Sequence, residues 1–78
     1  MDRITRKDLA RAFGSLCKAM GKEIGYGDGQ WWLDHYHGWL IAEGPGHRPF
    51  GNSRMTAREM YQAMRFAEQA FYLTKEQD

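Results

Sequence analysis

The chain has 78 residues, of which 42% are hydrophobic, 27% charged and 14% aromatic, a composition too rich in aromatics for a disordered segment. At this length it is one domain that buries only about 60% of its unfolded surface, which excludes a multi-domain enzyme with its own cofactor domain. Lys plus Arg number 11 against 10 Asp plus Glu, a formal net charge of +1, so the global basic footprint of a sequence-independent nucleic-acid binder is missing.

The first stretch, residues 1–13, is charged and interrupted, unlike the apolar core of a secretion signal. Within it, Ile4-Thr5-Arg6-Lys7-Asp8-Leu9 carries a helix start. Thr5 can accept from a free backbone N–H, Asp8 can reach back to the Thr5 N–H, and Ile4 can staple onto Leu9. The helix is expected over about 5–20, with Leu9, Phe13, Leu16 and Met20 on one stripe, Ala12 and Cys17 beside it, and Gly21 as its stop.

Gly25, Gly27 and Gly29 alternate in the next segment, which reads as a flexible loop. The run from Gln30 to Glu43 is too short and too aromatic for a helix. It reads as a β-hairpin over about 30–43, with strands near 30–36 and 39–43 and His37-Gly38 at the turn. Alternation puts Trp31, Leu33 and His35 on one face and Trp32, Asp34 and Tyr36 on the other. Residues 44–55 form an irregular Gly/Pro/Arg loop.

Met55-Thr56-Ala57-Arg58-Glu59-Met60 repeats the helix-start chemistry, with Thr56 and Glu59 as the box and Met55 stapling onto Met60. This second helix is expected over about 56–73, with Met60, Met64, Ala67 and Phe71 on its inner stripe and a frayed tail from Thr74. The fold class is therefore α+β in the order α-β-β-α, two amphipathic helices packed on a hairpin. A lone hairpin is marginal in water and the core is thin, so homo-oligomerisation is expected.

Gly29-Gln30-Trp31-Trp32-Leu33-Asp34, Gly38-Trp39-Leu40-Ile41-Ala42-Glu43, and Pro49-Phe50-Gly51 followed by Arg54 and Thr56-Ala57-Arg58-Glu59-Met60-Tyr61 together carry a resemblance. In these stretches the chain resembles small phage and prophage proteins that have no assigned function, and the likeness extends over nearly its whole length. The resemblance supplies no functional residues. It implies a phage setting, in which proteins of this size often counter host defence by blocking a protein complex or sequestering a nucleotide signal.

Between Gly44 and Arg58 there is no acidic residue, yet His47, Arg48, Arg54 and Arg58 fall there. Arg58 stands in the first turn of the second helix, where the helix dipole disfavours a cation unless an anion is shared with the free N–H groups. Guanidinium groups grip phosphate with paired hydrogen bonds. Against this stands a plain surface reading, in which Glu59 pairs with Arg54 or Arg58; Arg6 and Lys7 occupy the same places on the first helix.

All three tryptophans lie between positions 31 and 39. Aromatics on both hairpin faces cannot all be covered by one pair of helices, so one face is expected to serve as a stacking platform or an oligomer contact. Trp32, Tyr36 and Trp39 would stack a base, Arg48, Arg54, Arg58 and His47 would hold phosphates, and Asp34 or Glu43 would meet ribose or a base edge. The expected function is sequestration of a nucleotide-like anion, a host immune signal in the phage setting, without catalysis. A protein–protein inhibitor docking its aromatic hairpin face on a host defence complex is the alternative, and a phosphodiester-cleaving enzyme using His47 is a third.

Other chemistry finds little support. His35, His37, His47 and Asp34 do not follow the spacing of a known metal site. Ser53 and Cys17 lack a neighbouring base, and no cofactor is implied. The hairpin separates the two helices, so helix-turn-helix recognition of DNA is not expected. With Cys17 alone, a reducing compartment fits best, and the chain reads as cytoplasmic, in the infected bacterial host, with no membrane span.

Overall fold

The computed structural model describes residues 3–77. Helix α1 spans Arg6–Met20, capped by Thr5 in extended backbone. The Asp8 amide donates to the Thr5 hydroxyl at 3.2 Å and the Thr5 amide donates to the Asp8 carboxylate at 3.0 Å, so the shorter acid completes the box. At the other end Gly21 adopts φ 70°, a left-handed conformation open to glycine. Lys22 then donates to the Cys17 carbonyl at 2.8 Å and closes the last turn.

In the glycine loop after α1, the Gln30 side chain bridges two points of the segment. Gln30 donates through Nε2 to Glu23 at 3.0 Å and accepts from the Gly27 amide at 2.9 Å, using both ends of its amide. Trp31 donates to the Glu23 carbonyl at 2.8 Å and Gly25 donates back to the Trp31 carbonyl at 2.9 Å, which lays Ile24 along the sheet edge.

Strands β1 (Trp31–His35) and β2 (Trp39–Glu43) pair antiparallel, with Leu33 opposite Ile41 and His35 opposite Trp39. β1 ends one residue earlier than the sequence reading places it, because Tyr36 joins the turn and its amide donates to the Gly38 carbonyl at 2.9 Å. His37 sits at φ 53° and Gly38 at φ 135°. Further bridges join Glu43 to His47 and Trp39 to Met55, so residues 47–55 run back beside β2. The chain thus lines both edges of its own hairpin.

Helix α2 spans Ala57–Gln77. Thr56 donates to Glu59 at 2.9 Å and the Glu59 amide donates to the Thr56 hydroxyl at 3.1 Å, a second reciprocal cap. The helix continues past Leu73, where the sequence reading ends it, through Thr74–Gln77. That tail holds no Gly or Pro, and Lys, Glu and Gln are good helix formers. Asp78 lies outside the described residues.

The two helices run parallel. Arg6 touches His35 near the hairpin turn, and Arg54 and Met55, which lead into α2, touch Gly38 and Trp39 at the same turn. Further along, Ser15 donates to Glu68 at 3.1 Å, each residue well into its helix. Both helix starts therefore sit at the turn end of the hairpin. Leu9, Phe13, Leu16, Trp31, Ile41, Met60 and Met64 form the core, with Leu33 and Trp39 packed against it. The result is an α+β domain in the order α-β-β-α.

Candidate ligand-binding site

The arginines that are close in sequence do not converge. Residues 47–55 run from the level of Glu43 to the level of Trp39, four strand positions apart, or about 13 Å. His47 lies 3.6 Å from Glu43, which also takes Lys22 at 3.8 Å, at the end away from the turn. Arg48, next in the chain, has its Nη1 buried with no partner among the described residues. Arg54 lies at the turn end, donating to Asp34 at 2.7 Å, with its guanidinium 5.8 Å from the Tyr36 ring. Arg58 is exposed in the first turn of α2. The start of that helix already holds a carboxylate, because the Glu59 side chain caps it.

The expected open tryptophan face is largely closed. Trp31 is 3% exposed and belongs to the core, and Trp39 packs beside it. On the opposite face Leu40 and Ala42 are buried, and the Trp32 indole donates to the Gly44 carbonyl at 3.1 Å. The aromatics left open in and before the hairpin are Tyr36 and Tyr26, at 67% and 77% exposure. Trp32, Asp34, Arg54 and Tyr36 do share the outer face and the turn, whereas Trp39 points to the core side and stacks on His35 with ring centroids 4.0 Å apart.

One concave surface gathers aromatic and apolar side chains. Along the outer edge of β1 lies a cleft of about 230 Å³ lined by Ala10, Phe13, Ile24, Tyr26, Trp32 and Leu33. Tyr26 and Trp32 tilt together there, centroids 5.1 Å apart. Ala10 and Phe13 continue a stripe of α1 that begins at Arg6, one turn or about 6 Å back along the axis. Arg6 Nη2 lies 3.2 Å from His35 Nδ1, and since a guanidinium only donates, that imidazole nitrogen accepts. The cleft is thus walled by rings, and Arg6, outside its lining, stands one helical turn before Ala10.

The electrostatics of this end follow from the parallel helices. Each helix start carries the positive end of its dipole, and the two lie side by side. Arg6, Lys7, Arg54 and Arg58 add positive charge there, offset in part by the carboxyl groups of Asp8 and Glu59 in the caps and of Asp34 on Arg54. Hydrogen bonds from the Thr5 amide and hydroxyl hold the Asp8 carboxyl below the usual carboxylate range.

Reactive groups are scarce here. Burial pushes the Cys17 thiol up to about 11, which makes it a core side chain and not a nucleophile. Among the described residues no three His, Cys, Asp or Glu side chains are placed to hold a metal ion, and no helix is long and apolar enough to cross a membrane. Sequence reasoning passed over Arg6, Ile24 and Tyr26. The signal for Arg6 was present in the matching helix starts, but only the parallel packing brings it beside the hairpin. No protein-family model matches the chain, and neither does a curated protein or a solved structure.

Proposed function

We propose that this chain is a small binding protein that sequesters a nucleotide-like anion without chemistry. The planar ring enters the cleft against Tyr26 and Trp32, and the anionic group meets Arg6 a helical turn away. At about 230 Å³ the cleft is smaller than the roughly 300–1,000 Å³ pockets that enclose drug-sized ligands, so it takes a ring system and leaves sugar and phosphate at its mouth. The observation that carries this reading is the cleft lined by Tyr26 and Trp32, with Arg6 one helical turn before Ala10 of its lining. Arg58, exposed at the same end, contributes long-range attraction. In the phage setting that the sequence resembles, such a ligand is a host immune signalling nucleotide, removed from circulation by capture.

The test is titration with a panel of linear and cyclic nucleotides, read by tryptophan fluorescence and by melting temperature. A bound nucleotide quenches Trp32 and raises Tm, because it stabilises the folded state alone. Arg6→Ala and Tyr26→Ala weaken binding at least about tenfold, and chromatography recovers the nucleotide intact. A panel that leaves Tm and fluorescence unmoved sinks the proposal, and recovery of a cleaved product replaces capture with hydrolysis.

A second reading, docking on a host defence protein, is favoured by the exposure of Ile24, Tyr26 and Tyr36 along the hairpin edge and turn. Under that reading Tyr36→Ala, outside the cleft's lining, abolishes inhibition while nucleotides have no effect.

A further inference from the structure

We infer that the groove between the two helices is a second binding site, for a phosphate group. Parallel packing sets one stripe of α1 beside one stripe of α2. Between them lies a groove of about 190 Å³ lined by Asp8, Arg11, Ala12, Ser15, Tyr61 and Arg65. Helical spacing explains the set: positions 8, 11, 12 and 15 share one side of α1, and 61 and 65 stand one turn apart on α2. Ala12, 7% exposed, is the small residue among them and leaves the space open. Arg11 and Arg65 bring one guanidinium from each helix. Among the described residues neither is in an ion pair, and neither they nor the Tyr61 hydroxyl has a side-chain hydrogen-bond partner.

The carboxylates of this face are already engaged. Asp8, in the lining, accepts from the Thr5 amide at 3.0 Å. Glu68, one turn past Arg65, accepts from the Ser15 hydroxyl at 3.1 Å, and Glu59 is turned into the α2 cap. Asp8 and Glu68 match Arg11 and Arg65 in number, and Lys18 and Arg58 stand a turn beyond Ser15 and before Tyr61. The face is therefore only weakly cationic, and the groove holds a ligand by contact more than by long-range field. Contact favours a tetrahedral oxyanion. Guanidinium groups carried on opposite walls approach from two directions, and a phosphate offers oxygens to both, whereas a planar carboxylate is matched by a single fork. The Tyr61 hydroxyl adds a donor, while the Ser15 proton is spent on Glu68. A shared anion also relieves the repulsion between like charges on one groove. At about 190 Å³ the groove falls below the roughly 300–1,000 Å³ that encloses drug-sized ligands, so it takes a phosphate or the phosphate end of a small ester. It shares no residue with the cleft of Tyr26 and Trp32, and stands whether or not that cleft takes a nucleotide.

Inorganic phosphate is the probe. Titrated against the full chain at fixed pH and ionic strength, in exchange for chloride, it should move the Arg11 and Arg65 Nε–H NMR signals to saturation and raise Tm. Arg11→Gln and Arg65→Gln should each weaken binding at least about tenfold, because each removes charge-assisted hydrogen bonds. Both positions are exposed, so far-UV circular dichroism should not change. Arg65→Lys keeps the charge and loses the planar fork, and should weaken binding as well. Tyr26→Ala, in the other cleft, should leave phosphate binding as it is. Glycerol phosphate binding tighter than the free ion assigns the site to an esterified phosphate, and weaker binding assigns it to the free ion. Signals that chloride moves equally, acetate bound as tightly as phosphate, or phosphate binding that survives both glutamine substitutions overturns the proposal.

Discussion

Asp34 on β1 accepts from Arg54 at 2.7 Å across twenty positions of chain, and both side chains are more than two-thirds shielded from water. The pair fastens the approach to α2 onto the hairpin turn, helped by the Arg54 contact with the Gly38 carbonyl at 3.4 Å. Arg54→Ala leaves a half-buried carboxylate without its donor and is expected to cost about 1.5–3 kcal/mol. That corresponds to a fall in Tm of at least about 6 °C for a domain of this size. An unchanged melting curve would mean that the contact is a solvated surface pair.

Two glycines should respond to alanine with opposite signs. At Gly38, φ is 135° and an added Cβ meets the Arg54 Cβ at 2.9 Å, so Gly38→Ala combines backbone strain with crowding, about 1–3 kcal/mol destabilising. Gly14 lies inside α1 with open space around its missing side chain, so Gly14→Ala should stabilise by about 0.5–1 kcal/mol. Urea unfolding of the two variants checks both, and a loss of stability at Gly14 contradicts the packing described for that face of α1.

The cap of α1 should make stability depend on pH in acid. The Asp8 carboxyl titrates lower in the native state than in the unfolded chain, because Thr5 donates to its charged form. Between those two values the unfolded chain binds more protons, so the contribution is complete above the unfolded carboxylate value and disappears as pH falls through the native one. Asp8→Asn should be less stable than the parent at pH 7 and converge with it in strong acid. Parallel stability curves for the two proteins across that range would remove Asp8 from the account.

The Cys17 thiol, buried against the core and pushed up to about 11, should be inert to thiol reagents at neutral pH until the chain unfolds. The labelling rate should rise with urea in step with the unfolded fraction. Cys17→Ser places a hydroxyl in the core without a partner, at a cost of about 1–3 kcal/mol, and Cys17→Ala should cost less. Fast labelling of the native protein would show that α1 opens locally.

Both helix starts were legible in the sequence because a capping box and its staple span only a few residues: Thr5 with Asp8, and Thr56 with Glu59. The hairpin was legible for a similar reason, since alternation and turn residues act between neighbours. The candidate site was less so. Arg48, Arg54 and Arg58 cluster along the chain, yet a segment running beside a strand separates its ends, and Asp34 takes Arg54 from twenty positions away. The aromatic residues gave half an answer: Trp32 does line the cleft, while Trp31 and Trp39 are spent on the core.

Amino-acid order alone determined the α-β-β-α succession, the caps and the buried stripe of each helix, because those depend on hydrogen bonds and periodicity within a few residues. Only tertiary packing decided that the helices lie parallel, that Arg6 stands beside His35, that Tyr26 tilts over Trp32 and that Phe66 and Leu73 of α2 are left exposed. These are contacts between distant segments, selected by how whole faces fit together, and no local pattern of residues encodes that fit.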